Sequence, residues 1–414
     1  MAKGDGSITK VSERKWRVCI SLGFDPITNK RKKAQKIVNG TKADARKVRD
    51  ELRRQYENGL VPGSDKITFG EFSTRFHEAR VIGGNIARSK LDRDASLLRT
   101  LNRYIGHLPL KDLKPDTIEM LYARIKQDKT EEFGTYSNTT MHMYHVLLKM
   151  ILQKAVDLDI ILRNPCNRVT APKADTVERR ALNDDEMVEL LVELNATEKS
   201  TLAKIANNTA QQMKHASETS LTRVTGLNQL SSIMAVRLAL STGMRRGEVF
   251  GLCWDYVDLN RDTIAVQWSL TAHGELKHPK SAAGHRVLSI DKALSEHLAW
   301  WCSFQRAELV KIGVAQSGDT PVCCSSIGGF ITLRNFSRWW SAFREEIGFP
   351  DLPFHSLRHT QATQLLKNGE DIKTVQHRLG HSTASLTLDV YGHAIPEKDR
   401  EAANIIGDIL SSVS

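Results

Sequence analysis

The segment from residue 354 to residue 393, FHSLRHTQATQLLKNGEDIKTVQHRLGHSTASLTLDVYGH, constrains the chain more than any other stretch. It holds five of the 14 histidines in the sequence, two arginines, and a single tyrosine near its end. His355, Arg358 and His359 form an HSLRH motif, His381 closes an LGH motif, and Tyr391 follows ten residues later. Guanidinium and imidazole groups at this density, followed by one phenol, suit a phosphodiester-binding pocket better than a packed core.

The charge of the chain indicates a polyanionic partner. The formal net charge is +11 and the isoelectric point is about 9.3. Residues 1–60 carry 16 Lys and Arg against seven Asp and Glu, so that most of the excess lies in this short region. A basic arm on a nearly neutral body is typical of a modular nucleic-acid-binding protein. A length of 414 residues predicts two or three domains.

Several classes of protein are not supported by the sequence. The six cysteines are scattered without a C-x-x-C pair, so neither a zinc finger nor a secreted disulfide framework is indicated. The sequence contains no long apolar run and no signal peptide, and we therefore expect a cytoplasmic protein without a membrane span. The P-loop motif is also missing, which argues against ATP as a cofactor.

Residues 1–60 are predicted to fold as a small DNA-binding module of two or three strands and one helix. Trp16, Val18 and Ile20 alternate with polar residues at the period of a strand, and a second basic strand follows. Thr41 is suited to begin a helix that runs to about residue 57. The side chains expected to contact DNA are basic: Arg14, Lys15, Arg17, Lys30, Arg31, Lys32 and Lys33. A basic surface without a specific partner is the alternative.

Residues 67–169 are predicted to form a bundle of four helices, at about residues 69–79, 86–104, 115–126 and 137–157. Apolar residues recur at helical spacing, with Met120, Leu121 and Ile125 in one predicted stripe and Val146, Leu147, Met150 and Ile151 in another. A polar linker at residues 168–180 follows. The next helix is predicted over residues 182–194, and the polar stretch at residues 195–228 is interpreted as an insertion of unassigned role. It could form an extra surface helix, at about residues 199–215, or a subunit contact.

The remaining chain is predicted to be a mixed domain of helices and short strands. An apolar helix over residues 230–240 is followed by another that begins near Met244, and three strands are expected between residues 263 and 290. Helices are predicted at about residues 292–309, 333–347, 354–368, 372–379, 385–391 and 397–410. The fold class is therefore multidomain and mainly helical, with small β-sheets.

The candidate site favours phosphoryl transfer by protein cations. His355 and His359 stand four residues apart and could face a metal ion, but Arg358 lies between them and no further ligand is evident, so metal binding is disfavoured. Guanidinium forks match the non-bridging oxygens of a phosphodiester, which suggests that Arg245 and Arg358 form a clamp. Tyr391 would then be the nucleophile, and its phenol needs a base or a positive field to react near neutral pH.

Together these residues resemble the Arg…Lys…His-x-x-Arg…His…Tyr constellation of the tyrosine recombinases, the integrases of phages and conjugative elements. The resemblance implies that His355 is a base or proton shuttle, that His381 donates to the phosphate and that Glu248 is supportive. PKSAAGHR is similar to the family motif P-K-T-x-x-S-x-R, and Lys280 matches the general-acid lysine. Ser281 and Gly284 depart from that motif, and Lys277, three residues away, stays open as an alternative acid.

The resemblance also implies an architecture and partners. It divides the chain into an arm-type DNA-binding domain (residues 1–60), a core-binding SAM-like helical domain (67–169) and a catalytic domain (181–414). The expected activity is integration and excision of a mobile element through a 3′-phosphotyrosine, without ATP, metal or other cofactor. The expected partners are double-stranded attachment sites, further copies of the chain in a homotetramer on DNA, an excisionase and a host DNA-bending protein. The alternatives are a type IB topoisomerase and a non-catalytic DNA-binding regulator.

Overall fold

Two compact units make up the chain, Met1–Val177 and Glu178–Ser414. The structure, a computed structural model, describes residues 6–24, 31–57, 66–134, 136–175, 180–214, 226–279 and 282–380. In these ranges it is mostly helical, with small antiparallel sheets, as the sequence predicts. None of the helices in these ranges combines the length and apolarity needed to cross a bilayer. The helices predicted at residues 385–391 and 397–410 lie outside the described residues.

The first unit begins with a three-stranded antiparallel sheet and one helix. The strands are β1 (Ser7–Ser12), β2 (Lys15–Phe24) and β3 (Arg31–Asn39), in that order, followed by helix α1 (Lys42–Glu57). Thr41 starts α1 as predicted, since its hydroxyl accepts from the Asp44 amide while the Asp44 carboxylate accepts from the Thr41 amide. Val18 and Ile20 of β2 pack with Ala45 and Leu52 of α1 in a small core.

Among the described residues of this unit four α-helices follow, namely α2 (Phe69–Ile82), α3 (Arg88–Ile105), α4 (Pro115–Phe133) and α5 (Asn138–Asp157). Thr68 and Glu71 form a capping box at the start of α2, and Ser137 caps α5. The predicted stripes were wrong at Met120 and Val146, which are exposed. Each of these side chains lies outside the arc of its helix that faces the core, which is formed in α4 by Ile118, Leu121, Tyr122 and Ile125.

The second unit is built around helix α7 (Leu227–Thr242), most of whose side chains are buried. The other α-helices in the described part of this unit are α6 (Asp184–Lys214), α8 (Arg246–Phe250), α9 (Lys292–Val310), α10 (Leu333–Glu346), α11 (Phe354–Lys367) and α12 (Ile372–Leu379). Strands β4 (Val257–Asp258), β5 (Thr263–Val266) and β8 (Arg286–Ser289) form one sheet in the order β4-β5-β8, and β6 (Ser269–Leu270) pairs with β7 (Leu276–Lys277). The strand predicted from residue 263 is therefore divided, and Gln267 and Trp268 connect its two parts.

Helix α6 is much longer than predicted, because it continues beyond residue 194 to Lys214. Leu190 and Leu194 pack in the core of the unit, whereas the following turn is held by polar contacts. Glu198 accepts hydrogen bonds from Arg237 of α7 at 2.8 Å and from His297 of α9 at 3.1 Å. Beyond this turn Leu202 and Ile205 pack against the same core, so Glu198 interrupts an apolar stripe that continues along α6. That residues 195–228 are an insertion stays a prediction, and residues 215–225 lie outside the described ranges.

Candidate active site

Arg245 is placed by a tight junction between α7 and α8. Gly243 ends α7 in the left-handed conformation, with φ of 65°. A Cβ atom there would also collide with the Gln361 side chain of α11 and approach Leu379 of α12, so this position requires glycine on both grounds. Arg245 then precedes the first residue of α8, and 41% of its side chain is exposed. The junction presents this guanidinium partly to solvent beside α11 and α12.

Glu248, the residue expected to be supportive, holds Arg245 in position. Its carboxylate accepts from Arg245 Nη1 at 2.8 Å and from the Arg245 backbone amide at 3.0 Å. The other charge partner of Glu248 is Arg286 of β8, whose Nη2 donates to it at 2.9 Å. The side chains of Glu248 and Arg286 are 3% and 0% exposed, which makes this a fully buried ion pair.

Arg358, the second predicted arginine, is buried in α11 and points its fork at the ends of two other helices. Nη1 donates to the carbonyl of Gly243 at 2.7 Å and Nη2 to the carbonyl of Leu379 at 2.5 Å. The side chain thereby joins the end of α7, just before Arg245, to the end of α12. The structure thus brings together the two arginines that were predicted from distant parts of the sequence.

Three successive carbonyls at the end of α12 each accept a hydrogen bond from a different arginine. Arg286 Nε donates to Arg378 at 2.8 Å, Arg358 to Leu379, and Arg245 Nη2 to Gly380 at 3.1 Å. Carbonyls at a helix C-terminus lack partners within the helix and carry partial negative charge, which suits cationic donors. We call Arg245, Arg286 and Arg358 the arginine cluster. It lies at the start of the segment that contains His381 and Tyr391, both outside the described residues.

The two histidines of the HSLRH motif differ in exposure. His355 is exposed at the start of α11, whereas His359, one turn later, is buried. Their rings meet edge to face with centroids 4.7 Å apart. His355 is therefore accessible from solvent on the helix that carries Arg358, whereas His359 packs inside the unit. Within the described ranges, no group of three or more His, Cys, Asp or Glu side chains is arranged to hold a metal ion.

The predicted general acid, Lys280, also lies outside the described residues, but both ends of its loop are described. Ala283, at the second end, is close to the end of α12, because a Cβ on Gly380 would be 2.9 Å from the Ala283 carbonyl oxygen. Lys277, the alternative, is exposed and forms an ion pair with Glu275 at 2.9 Å. The loop therefore approaches the arginine cluster from the side of β8.

Basic residues of the arm lie on the surface of the first unit. Arg14, Lys15, Arg17, Arg31 and Lys33 are exposed. In the sheet register Lys15 pairs with Asn39, Arg17 with Ile37 and Ser21 with Lys33, so these basic side chains share the face opposite the small core. Lys30 lies outside the described residues, and the side chain of Lys32 is not described.

Arg286 ends the PKSAAGHR motif, but the sequence did not single it out as a site residue. A further signal was available, since Arg286 alternates with the apolar Leu288 of β8 and with Ile290 just after it, and this period turns all three side chains toward the core. An arginine at a buried strand position must be paired, because an isolated buried charge is strongly unfavourable. That argument would have selected Arg286 as a partner for an acidic residue such as Glu248.

Low pH should decrease the free energy of unfolding of the second unit, because Glu248 becomes protonated. Burial acts to raise the pKa of its carboxyl, but the charge and hydrogen bonds of Arg286 and Arg245 outweigh burial and hold the pKa below its usual 4.5. A carboxylate with a pKa lowered by folding contributes stability above its unfolded pKa, and that contribution is lost as pH falls through the folded value. We expect the stability of wild type to fall below about pH 4.5 more steeply than that of Glu248→Gln.

The measurement is urea unfolding between neutral pH and about pH 3, monitored by tryptophan fluorescence. Six of the seven tryptophans lie in the second unit, so the signal reports mainly on it. Glu189→Gln, at an exposed position of α6, is the matched control and should keep the wild-type pH dependence. Parallel pH profiles for wild type and Glu248→Gln would contradict the role given to this carboxylate.

Comparison with known proteins finds a family match within each unit. The phage integrase family matches residues 203–398, and the phage integrase SAM-like domain matches residues 68–170. The chain is 26% identical to the ICEBs1 integrase of Bacillus subtilis over 414 residues, which cover 98% of this chain and all of that protein. It is 25% identical to a XerC-like tyrosine recombinase of Caldanaerobacter subterraneus, over 95% of this chain and 96% of that protein.

Solved structures of integrases share the fold. The Tn1549 transposon integrase, in complex with a circular intermediate DNA, aligns with a TM-score of 0.57 at 20% identity and covers 82% of this chain and 99% of that one. A lambda integrase dimer bound to a core site aligns with a TM-score of 0.53 at 19% identity and covers 93% of this chain and 95% of that one. A lambda integrase tetramer bound to a Holliday junction aligns with a TM-score of 0.52 at 15% identity and covers 92% of this chain and 97% of that one.

Proposed function

The chain belongs to the phage integrase family of tyrosine recombinases, and from this premise we propose that it integrates and excises a mobile element by site-specific DNA recombination. The observation that carries the proposal is the arginine cluster. Arg245 and Arg358 are separated by more than a hundred residues of sequence, yet they bind the successive carbonyls of Leu379 and Gly380. The cluster lies where the chain enters the segment that contains His381 and Tyr391.

The proposed reaction begins when the Tyr391 phenol oxygen attacks a DNA phosphodiester. A bond forms between that oxygen and phosphorus, the bond from phosphorus to the 5′-oxygen breaks, and a 3′-phosphotyrosine remains. His355 receives the phenol proton, and Lys280 supplies a proton to the departing 5′-oxygen. Lys277 is the weaker choice of acid because it already pairs with Glu275. Arg245, Arg358 and His381 stabilise the negative charge that develops on the non-bridging oxygens.

Strand exchange follows from the reversibility of this step. The phosphotyrosine conserves the energy of the broken bond, so the 5′-hydroxyl of a second duplex can attack it and release the tyrosine without ATP. Attack by the original strand would only restore or relax the substrate, as in a topoisomerase.

We propose a homotetramer as the active assembly, by analogy with the lambda integrase tetramer on a Holliday junction. The exposed basic face of the arm is the proposed contact with arm-type DNA, and we further propose an excisionase and a host DNA-bending protein as partners in the cytoplasm.

A suicide substrate tests the chemistry directly. A duplex nicked just beyond the cleavage position loses its short 5′-hydroxyl fragment, which traps the covalent protein–DNA adduct. We expect this adduct to form at an undiminished rate with excess EDTA, because all the proposed catalytic groups are side chains. Loss of the adduct on chelation would contradict the mechanism.

A paired assay separates recombination from relaxation. The same preparation is incubated with two attachment sites, taken from the junctions beside the gene, and with a supercoiled plasmid that lacks them. We expect joined products only with the attachment sites. Efficient relaxation of the plasmid without recombination would favour a type IB topoisomerase, and binding without any adduct would favour a non-catalytic regulator.

A further inference from the structure

We propose that Gln267, together with His278 and His285, is a brace that holds the loop carrying Lys280 in position for proton transfer to the leaving 5′-oxygen. The inference rests on the proposed function. It adds positioning residues that act through the lysine and do not touch the DNA phosphate. We call these three residues the Gln267 brace.

One residue binds both ends of the loop. Gln267 lies between β5 and β6, and its backbone carbonyl accepts a hydrogen bond from His278 Nδ1 at 3.2 Å. Its side-chain oxygen accepts from His285 Nδ1 at 2.8 Å. Since both oxygens only accept, each histidine carries a proton on Nδ1. The two ends of the segment that contains Lys280 are thereby fixed to the same point of the fold.

The first end of the loop is also fixed by aromatic packing. The ring of His278 stacks on Trp268 with centroids 3.9 Å apart and lies 5.5 Å from the ring of His285. Trp268 is held in turn, because its indole N–H donates to the Tyr256 hydroxyl at 2.9 Å. His278 is exposed to solvent, so this stack is not needed to fill the core. Its effect is to restrain the chain two residues before Lys280.

The second end joins the loop to the arginine cluster. Gly284 has no room for a side chain, because a Cβ there would collide with Pro279 at the other end of the loop. The Gly284 carbonyl accepts from Arg286 Nη1 at 3.1 Å, and Arg286 belongs to the cluster. Glycine at this position, where the sequence departs from the family motif, therefore allows the two ends of the loop to meet beside the site.

Proton transfer explains why such a brace matters. A general acid must come within hydrogen-bonding distance of the atom that it protonates, and it typically contributes about 10²- to 10⁴-fold to the rate. Lysine has a flexible four-carbon stem, so its base must be well placed for the ammonium group to reach the leaving oxygen. A misplacement of about 1 Å in catalytic geometry can cost about 10²-fold.

A change of leaving group isolates this role. In the normal substrate the departing 5′-oxygen needs a proton, whereas in a 5′-bridging phosphorothiolate a sulfur atom leaves. A thiolate is stable without protonation near neutral pH, since thiol pKa values are about 8.5. We expect Gln267→Leu to slow adduct formation about 10- to 100-fold on the oxygen substrate and to have little effect on the sulfur substrate. Gln267→Glu keeps an acceptor for His285 and should keep most of the activity.

His285→Ala is a second test of the brace. Lys280→Ala gives the rate that is expected when the general acid is lost. His273→Ala, in the turn between β6 and β7, is the control for replacing a histidine outside the brace. We expect His285→Ala to follow Gln267→Leu and His273→Ala to cleave both substrates like wild type. Slow cleavage of both substrates by Gln267→Leu and His285→Ala, or wild-type rates on both, would overturn the inference. If wild type cleaves neither substrate, the proposed function itself fails.

Discussion

Tyr391→Phe is expected to abolish the covalent protein–DNA adduct while leaving binding of the attachment site unchanged. Phenylalanine keeps the aromatic ring and loses only the oxygen that attacks phosphorus, so no nucleophile remains. Binding depends on the basic arm and the rest of the DNA interface, which this substitution does not alter. Adduct formation on the suicide substrate and the Kd for the same duplex, measured at one salt concentration, give the two readouts.

Tyr104→Phe is a matched control for this result. Tyr104 belongs to helix α3 of the first unit, and its hydroxyl donates to Asp128 at 2.7 Å, so its replacement removes a phenol without touching the candidate site. This variant should form the adduct at the wild-type rate. If Tyr391→Phe still becomes linked to DNA, another residue is the nucleophile, and peptide mapping of the adduct would identify it.

Arg286→Met is expected to lower the free energy of unfolding of the second unit by about 3–5 kcal/mol, as found when one partner of a buried ion pair is removed. The methionine retains part of the apolar stem, but Glu248 loses its fully buried partner and the carbonyls of Arg378 and Gly284 lose a donor. Cleavage should fall as well, because Glu248 also holds Arg245. Urea unfolding monitored by tryptophan fluorescence measures the change in stability.

A double-mutant cycle tests whether the loss comes from the pair itself. Glu248→Gln combined with Arg286→Met should cost less than the sum of the two single replacements, since the double variant leaves neither buried charge unpaired. Arg261→Met, at a position where 83% of the side chain is exposed, should change stability very little. Additive losses, or a loss for Arg286→Met no larger than for Arg261→Met, would contradict the importance of this ion pair.

The elements with strong local signals were predictable from the sequence. Thr41, Thr68 and Ser137 begin helices because each hydroxyl accepts a hydrogen bond from the backbone amide three residues later, a relation confined to a few residues. Helix α6 was predicted too short because its later part is held by Glu198, whose partners lie on two distant helices. Leu202 and Ile205 continue the apolar spacing and pack against the same core, but the polar Glu198 interrupts the stripe after Leu194.

In the candidate site, too, some residues were predictable from the sequence and others depend on the tertiary fold. Arg245, Glu248 and Arg358 could be selected from residue type, order and spacing, and the structure brings these three together. The role of Gln267 could not be predicted, since it depends on the division between β5 and β6, which places one glutamine within reach of two histidines 11 and 18 residues away. Hydrogen bonds across such separations follow from the tertiary fold and leave no periodic trace in the sequence.

The arginine cluster has a consequence for the energetics of DNA engagement. Its guanidinium groups already have acceptors within the folded protein, on three consecutive carbonyls at the end of α12. The conformational entropy of these long side chains is therefore lost during folding and not when a phosphate arrives. A site preorganised in this way needs little rearrangement on encountering its substrate, so more of the binding energy is available to deform the duplex.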